Sequence, residues 1–458
     1  MSIHSVLSRI LPSFIQTKLE GSASLRKIIE NISWLFADKI FRMGGALFVG
    51  VWIARYLGPE QFGLFNYAGA FVALFSILST LGLDGIVVRD IVNKPANKNA
   101  VLGSAFLIKL IGSFVMFFMV MAAVFLLRPG DKTMASLVAV FAVANIFSSF
   151  YVIDFWFQSQ VKSKYTVYAR NIPFILVSLG KIGLILYRAP LIAFVWAIVV
   201  EIALHAVGFA YFYHKTGERF RAWQFDYRHA VRLLRVSWPL ILSQMAIMIY
   251  MKIDQVMLGD MSGAASVGIY SAAVRISEIW YFIPVVIVSS LTPSIIAVKH
   301  NETLYYERMQ KLFNFMAGLF YVIALPITLL SGWITVTLYG VKYAAAGPVL
   351  AIHIWAGLFV FLGVARQVWI INEGFTKSAL LTTSCGAIIN VLLNLVLIPR
   401  YAEIGAAIAT VVAYAFADYF FSLLYRPFRK IGIAMTKAVF MQGLFNYMKL
   451  TVRRIHES

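Results

Sequence analysis

Long unbroken apolar blocks separated by short polar turns constrain this chain more than any single residue in it. Twelve occur, at about 33–55, 64–84, 101–127, 133–157, 167–187, 190–213, 238–258, 267–297, 312–331, 346–369, 378–398 and 403–425. A run of about 20 apolar residues crosses the hydrocarbon core as a helix, since in lipid each backbone N–H and C=O must be bonded inside the segment. Charged residues make up only 13% of the 458 and hydrophobic ones 61%, against roughly 25% and 45–50% in soluble domains. The sequence therefore reads as an all-α integral membrane protein of about twelve transmembrane helices. Its loops are short, which leaves no room for a soluble catalytic domain. The eighth block is long enough to tilt or bend, with Pro284 and Pro293 as places to do so.

The net charge of +20 invites a nucleic-acid reading, but its distribution points elsewhere. Counted on alternate loops, Lys and Arg number 26 on one side and 6 on the other. Cytoplasmic loops collect these residues, so the bias places both termini in the cytoplasm and excludes nucleic acid as a partner. Arg9, Pro12 and Lys18 break any secretory h-region at the start. The single cysteine, Cys385, lies inside an apolar block, so there is no disulfide framework. The nearly apolar tail from Ile431 to Met448 is short and interrupted by Lys437, which reads as an interfacial helix.

A basic stretch, residues 214–237, divides the chain into an N-terminal six-helix bundle (33–213) and a C-terminal one (238–425). A cytoplasmic segment (1–32) precedes them and a basic cytoplasmic or interfacial tail (426–458) follows. An internal repeat supports the division. Ser33-Trp34, Leu57-Gly58, Phe62-Gly63 and Leu64-Phe65 recur in order as Ser237-Trp238, Leu258-Gly259, Val267-Gly268 and Ile269-Tyr270. Like halves of the same orientation are related by an axis along the membrane normal, and in transporters they usually enclose a central substrate path.

Some chemistry is missing. No phosphate loop ending in Gly-Lys-Ser/Thr and no paired-histidine zinc pattern occurs, so neither metal nor cofactor is expected. The outer loops are too short to hold the carboxylates and arginines of a membrane glycosyltransferase, polymerase or ligase. An enzyme is not expected.

The ionisable residues at membrane depth carry the functional signal. Each costs about 2.5–3.5 kcal/mol at the bilayer centre, so such residues must face one another or a wet cavity. Eight are cations: Lys39, Arg42, Lys109, Arg170, Lys181, Lys252, Arg275 and Arg366. Six are acids: Asp38, Asp154, Glu201, Asp254, Glu278 and Asp418. Arg170, Lys181 and Arg366 lie near span ends, where they can snorkel. Lys39, Arg42, Lys109, Lys252 and Arg275 are deeper and suit an anionic substrate. Asp38, Asp154, Asp254 and Glu278 are candidates for coupling to H⁺ or Na⁺. Helical spacing predicts pairs at Asp38/Arg42, Arg275/Glu278 and Glu201/His205, which would otherwise simply satisfy each other. Tyr151, Phe155 and Trp156 fit an interfacial belt, and Gln244, Gln255, Asn390 and Asn394 read as interhelical glue rather than ligands.

Three motifs carry a family resemblance. Ala54-Arg55-Tyr56-Leu57-Gly58-Pro59 is followed by Phe62-Gly63, and Gly268-Ile269-Tyr270 by Ala273 and Arg275. Asn390, Asn394 and Ile398-Pro399-Arg400-Tyr401 precede Gly405-Ala406-Ala407. In this order they resemble the polysaccharide-transporter (Wzx-type) flippases, of the superfamily shared with multidrug/toxic-compound extrusion exporters and the lipid II flippase. The resemblance implies a V-shaped pair of bundles around a central cavity in the bacterial inner membrane. It implies transfer of an undecaprenyl-pyrophosphate-linked oligosaccharide, of O-antigen or capsule type, from the cytoplasmic to the periplasmic leaflet. The polymerase and chain-length proteins of that pathway are implied partners. Arg275 resembles a family position that often carries a cavity-lining cation. Lys39, Arg42, Lys109, Lys252, Arg275 and Arg366 then form the expected substrate-binding set. The alternatives are a cation-coupled multidrug exporter of the same fold and a membrane enzyme of the glycan pathway.

Overall fold

The structure, a computed structural model, describes residues 23–442. The expectations for Arg9, Pro12, Lys18, Arg453 and Arg454 and for the end of the tail lie outside the described residues. The chain is nearly all helix. In order, the main helices are α1 (Ala23–Phe75), α2 (Asp84–Asn93), α3 (Lys98–Leu127), α4 (Lys132–Phe147) and α5 (Val152–Ser159). They continue with α6 (Ser163–Leu186), α7 (Leu191–Lys215), α8 (Tyr227–Met261), α9 (Ala264–Glu278) and α10 (Phe282–Ile296). The last five are α11 (Glu302–Tyr339), α12 (Ala346–His353), α13 (Ala356–Asn372), α14 (Thr376–Ala415) and α15 (Arg429–Val439).

Ten stretches among the described residues are long and apolar enough to cross a membrane. Two of them run through a residue with non-helical φ/ψ. In α1, Gly58 has φ 70° and ψ 172° and is followed by Pro59. A residue without Cβ takes this conformation at little cost, and proline then removes a backbone donor. In α14, Ala402 has φ 45° and ψ −125°, three residues after Pro399. Dividing both helices at these breaks turns ten stretches into twelve apolar segments, with borders where the sequence placed them. The eighth block also breaks, at the 3₁₀ turn Ile279–Tyr281. The ring of Pro284 crowds the carbonyl four residues earlier, at Trp280, which explains why the turn falls there. Pro293 lies inside α10. Phe118, Leu176, Leu329 and Trp333 are more than half exposed on these helices, an arrangement that lipid tolerates and water does not.

The described chain forms two compact units. The first takes in residues up to Gly50 and Phe75–Gln244, the second Val51–Leu74 and the chain from Met245. Residues 214–244 thus group with the first bundle and residues 51–74 with the second. In the first unit, Leu83, Val87, Leu102, Val152, Phe157, Phe209 and Tyr213 share one apolar core. The linker is bound to it: Asp226 N–H donates to Ser104 Oγ (3.0 Å), and a Cβ on Gly103 would lie 2.5 Å from Gln224 O. Trp223 Nε1 donates to Tyr213 OH at 2.9 Å.

Residues 51–74 belong to the second unit because their polar and close contacts lie there. Tyr343 OH donates to Ala54 O (2.8 Å), Arg55 Nε to Leu338 O (2.6 Å) and Tyr67 OH to Asp260 Oδ1 (2.9 Å). The repeat meets itself at this place. A Cβ on Gly63 would lie 1.7 Å from Ala264 O, and one on Gly268 would lie 1.9 Å from Pro59 O. Positions 59 and 63 are each 205 residues before 264 and 268. The contact is therefore reciprocal, as local two-fold symmetry requires. Further into this unit Tyr250 and Tyr414 stack at 4.2 Å. Helix α15 buries Ile431, Met435 and Ala438. It receives hydrogen bonds from α11, Gln310 Nε2 to Ala434 O (2.9 Å) and Tyr321 OH to Val439 O (2.8 Å).

Candidate functional site

In the first unit the expected coupling acids sit among cations. Asp38 is buried and Arg42, one turn later, is a third exposed, with Nε 3.2 Å from Asp38 Oδ1. Neither atom completes a well-directed hydrogen bond, so both keep capacity for another partner. Lys39, next to them, is exposed. Asp154 accepts from Thr166 Oγ1 (2.5 Å), Gln158 Nε2 (3.1 Å) and Arg170 Nη2 (2.8 Å). Arg170 does not snorkel: its guanidinium lies 5.5 Å from the Tyr151 ring centre and 5.7 Å from that of Phe209.

The spacing that joined Glu201 to His205 gives way to contacts between helices. Glu201 on α7 takes Lys181 of α6 at 2.8 Å. His205 instead meets Tyr151 OH through Nδ1 (3.0 Å) and Arg170 O through Nε2 (3.2 Å). A ring reached from two neighbouring helices has no freedom left to turn toward its own i−4 residue. Lys109 is 2% exposed on α3, with its ammonium 5.4 Å from the centre of the Phe155 ring. No carboxylate pairs with it within 4.0 Å among the described residues.

In the second unit the centre is Asp254 on α8, 2% exposed. Asn394 Nδ2 reaches its Oδ1 at 2.5 Å, and Oδ2 faces Thr410 Oγ1 at 2.5 Å and Tyr270 OH at 2.8 Å. Tyr270 OH and Thr410 Oγ1 are 3.0 Å apart, and Thr410 Oγ1 also lies 2.9 Å from Ala406 O. Each hydroxyl has one proton, so it can serve only one of these acceptors. Asn394 Oδ1 has no hydrogen-bond partner, while its Nδ2 is shared with Asn390 Oδ1 at 3.1 Å. Asn390 Nδ2 is also without a hydrogen-bond partner among the described residues. The buried carboxylate, with no cation paired to it within 4.0 Å among the described residues, suits one added positive charge, either a proton or a small hard cation.

Close by, Glu278 is half-buried and within electrostatic reach of Lys252, Asp254 and Arg275. Arg275 and Glu278, though three apart, form no ion pair within 4.0 Å among the described residues. Arg275 is half-buried, its guanidinium 5.5 Å from the Phe62 ring centre and within electrostatic reach of Tyr339. Lys252 is half-buried too. Arg366 differs. It is 1% exposed, and its donors go to Asp418 Oδ1 (3.1 Å), Ala417 O (3.1 Å) and Ser422 Oγ (2.8 Å). It braces the π-helical turn Phe416–Phe420 and does not snorkel, while its Nε has no hydrogen-bond partner among the described residues.

Sequence reasoning singled out Asp254 but not Tyr270 or Thr410, and it read Asn390 and Asn394 as glue. The available signal was the four-residue spacing of those asparagines, which puts both amides on one face of α14.

The fold is that of MOP-superfamily transporters. With the lipid II flippase MurJ in an inward closed conformation, the TM-score is 0.68 at 15% identity, over 92% of this chain and 93% of that one. With an inward-facing multidrug resistance MATE transporter of the MOP superfamily it is 0.66 at 14% identity, over 91% and 96%. The family follows from residues 28–299, more than half of the chain, which match the Polysaccharide biosynthesis protein family. The chain belongs to that family. It is also similar to a probable flippase, AglR, of Haloferax volcanii, with 28% identity over 187 residues. That similarity covers 39% of this chain and spans 38% of the length of the curated relative.

Proposed function

We propose that this protein is a flippase that moves undecaprenyl-pyrophosphate-linked oligosaccharide units, of O-antigen or capsule type, between the leaflets of the bacterial inner membrane. The observation that carries the reading is the pair Arg275 and Lys252. Both are half-buried in apolar spans and neither has an ion-pair partner within 4.0 Å among the described residues. A cation at membrane depth that no carboxylate contacts directly is costly unless a ligand or water receives it. A pyrophosphate is a dense anion that takes charge-assisted hydrogen bonds from Arg and Lys. Arg42, whose pair with Asp38 is incompletely hydrogen-bonded, offers the same chemistry in the first unit, with Lys39 and Lys109 as further cations.

The driving ion, H⁺ or Na⁺, acts at Asp254. A charge bound there changes the balance around Glu278, and through it around Lys252 and Arg275. Coupling requires only that the ion favour one arrangement of the protein over another. The probable flippase AglR supports transport rather than glycan chemistry as the activity.

The test is complementation of a deletion strain. Arg275→Ala and Arg42→Ala are expected to abolish surface polysaccharide with normal amounts of membrane-inserted protein, and lipid-linked units accumulate on the cytoplasmic side. Normal polysaccharide in both variants overturns the reading. Lost drug resistance with intact polysaccharide points to an exporter, and periplasmic unpolymerised units point to an enzyme.

A further inference from the structure

A cavity of about 350 Å³ lies in the first unit where α2, the start of α3 and the start of α8 meet, away from the groups discussed above. Arg89, Asp90, Lys94, Asn97, His229 and Arg232 line it. Arg89, Lys94 and Arg232 carry permanent positive charge, and Asp90 is the one carboxylate among the lining residues. Asp90 is 12% exposed and paired with both arginines, 3.5 Å from Arg89 Nη2 and closer to Arg232 Nη2. It orients the two guanidinium groups without cancelling three cations.

The nearby Asp226 keeps its negative charge, outnumbered by the three cations, and both its oxygens are engaged by the start of α8. Its Oδ2 is bonded to His229 Nδ1 at 2.9 Å, and its Oδ1 accepts the backbone N–H groups of Arg228 (2.7 Å) and His229 (3.3 Å). The His229 hydrogen bond, helped by those N–H groups, holds the Asp226 carboxyl below its usual range. The N-cap residue of the 30-residue α3, Asn97, makes no side-chain capping bond and lines the cavity. That end of a long helix carries partial positive charge. On α8, Leu234 and Trp238 are 38% and 57% exposed on the face opposite Arg232, an apolar exposure with a tryptophan that suits the boundary between headgroups and acyl chains.

We propose that this cavity binds the phosphate of a lipid headgroup lying alongside the first unit. The site is separate from the transport path proposed above and does not depend on it. Arg89, Lys94 and Arg232 hold the phosphate oxygens, Asp90 fixes the two arginines, and the start of α3 adds its partial positive charge. A free phosphate offers the same oxygens but no acyl chains.

Full-length protein in neutral detergent, probed by native mass spectrometry with phosphatidylglycerol or phosphatidylcholine, tests this. The protein is expected to retain phosphatidylglycerol in preference to phosphatidylcholine. The double variant Lys94→Gln/Arg232→Gln is expected to weaken that retention by about tenfold, each lost charged hydrogen bond contributing. Arg219→Gln/Arg221→Gln removes two exposed linker cations outside the cavity and is expected to leave retention within about twofold. Should loss of Arg232 impair folding, Lys94→Gln alone, at an exposed residue, is expected to weaken retention about threefold. Displacement by millimolar inorganic phosphate marks a phosphate site open to both sources. Resistance to it marks one that needs the acyl chains, and either result supports the site. Equal loss in both double variants, unchanged retention in Lys94→Gln, or no preference for phosphatidylglycerol overturns it.

Discussion

Replacing Gly268 by alanine adds one methyl group at the place where the repeat meets itself. That methyl would lie 1.9 Å from Pro59 O, about 1.5 Å short of the 3.4 Å at which ordinary contact begins. The obstacle is backbone, so no side chain can rotate away. Residues 59–63 and 264–268 must separate for the variant to fold. Overpacking of this kind costs about 1–3 kcal/mol. On the proposed flippase activity, which requires two arrangements of the protein, that penalty shifts the one containing this contact by roughly five- to 150-fold. The readout is a cysteine at Ser271, one turn along α9 and 5% exposed, in a Cys385→Ala background. Its reaction with an impermeant maleimide is expected to accelerate in Gly268→Ala by at least about fivefold. Gly85→Ala, where a Cβ meets nothing within 4 Å, is the control. Labelling at the control rate, with equal protein in the membrane, refutes the view that this contact holds residues 59–63 and 264–268 together.

Three other outcomes follow from the same structure. Asp254→Asn is expected to keep the protein folded but to remove the dependence of transport on a Na⁺ or H⁺ gradient, read as uptake with the gradient imposed and collapsed. Asn394→Ala is expected to weaken that dependence less, because Thr410 and Tyr270 remain. Arg366→Met strands Asp418 and is expected to cost about 3–5 kcal/mol, read as loss of detergent-stable protein. Arg366→Met/Asp418→Leu recovers most of that loss.

The transmembrane segments were legible because their signal is local: run length, Gly58-Pro59, Pro399, and Lys and Arg on alternate loops. The repeat was legible as four dipeptide matches, and the Gly63–Gly268 contact gives one of them a physical meaning, since only a residue without a side chain fits at either position. Partners across helices were not legible. Spacing proposed His205 for Glu201, whereas tertiary packing supplied Lys181. It proposed Glu278 for Arg275, whereas Arg275 lies over Phe62, which is far off in sequence. The grouping of residues 51–74 with the second unit was hidden for the same reason, because the bonds from Tyr343 and Arg55 that fix it join positions nearly 300 apart. Helix periodicity reports which face a residue occupies and is silent on what the neighbouring helix brings to it.

Reconstitution tests the central claim most directly. Liposomes containing the purified protein and a fluorescent polyprenyl-pyrophosphate oligosaccharide are treated with an impermeant quencher of the headgroup. The account predicts that the protected inner-leaflet fraction becomes accessible in the presence of protein, and that Arg275→Ala at equal loading slows this by at least about tenfold. Exchange no faster than in protein-free liposomes, or equal exchange in Arg275→Ala, contradicts it.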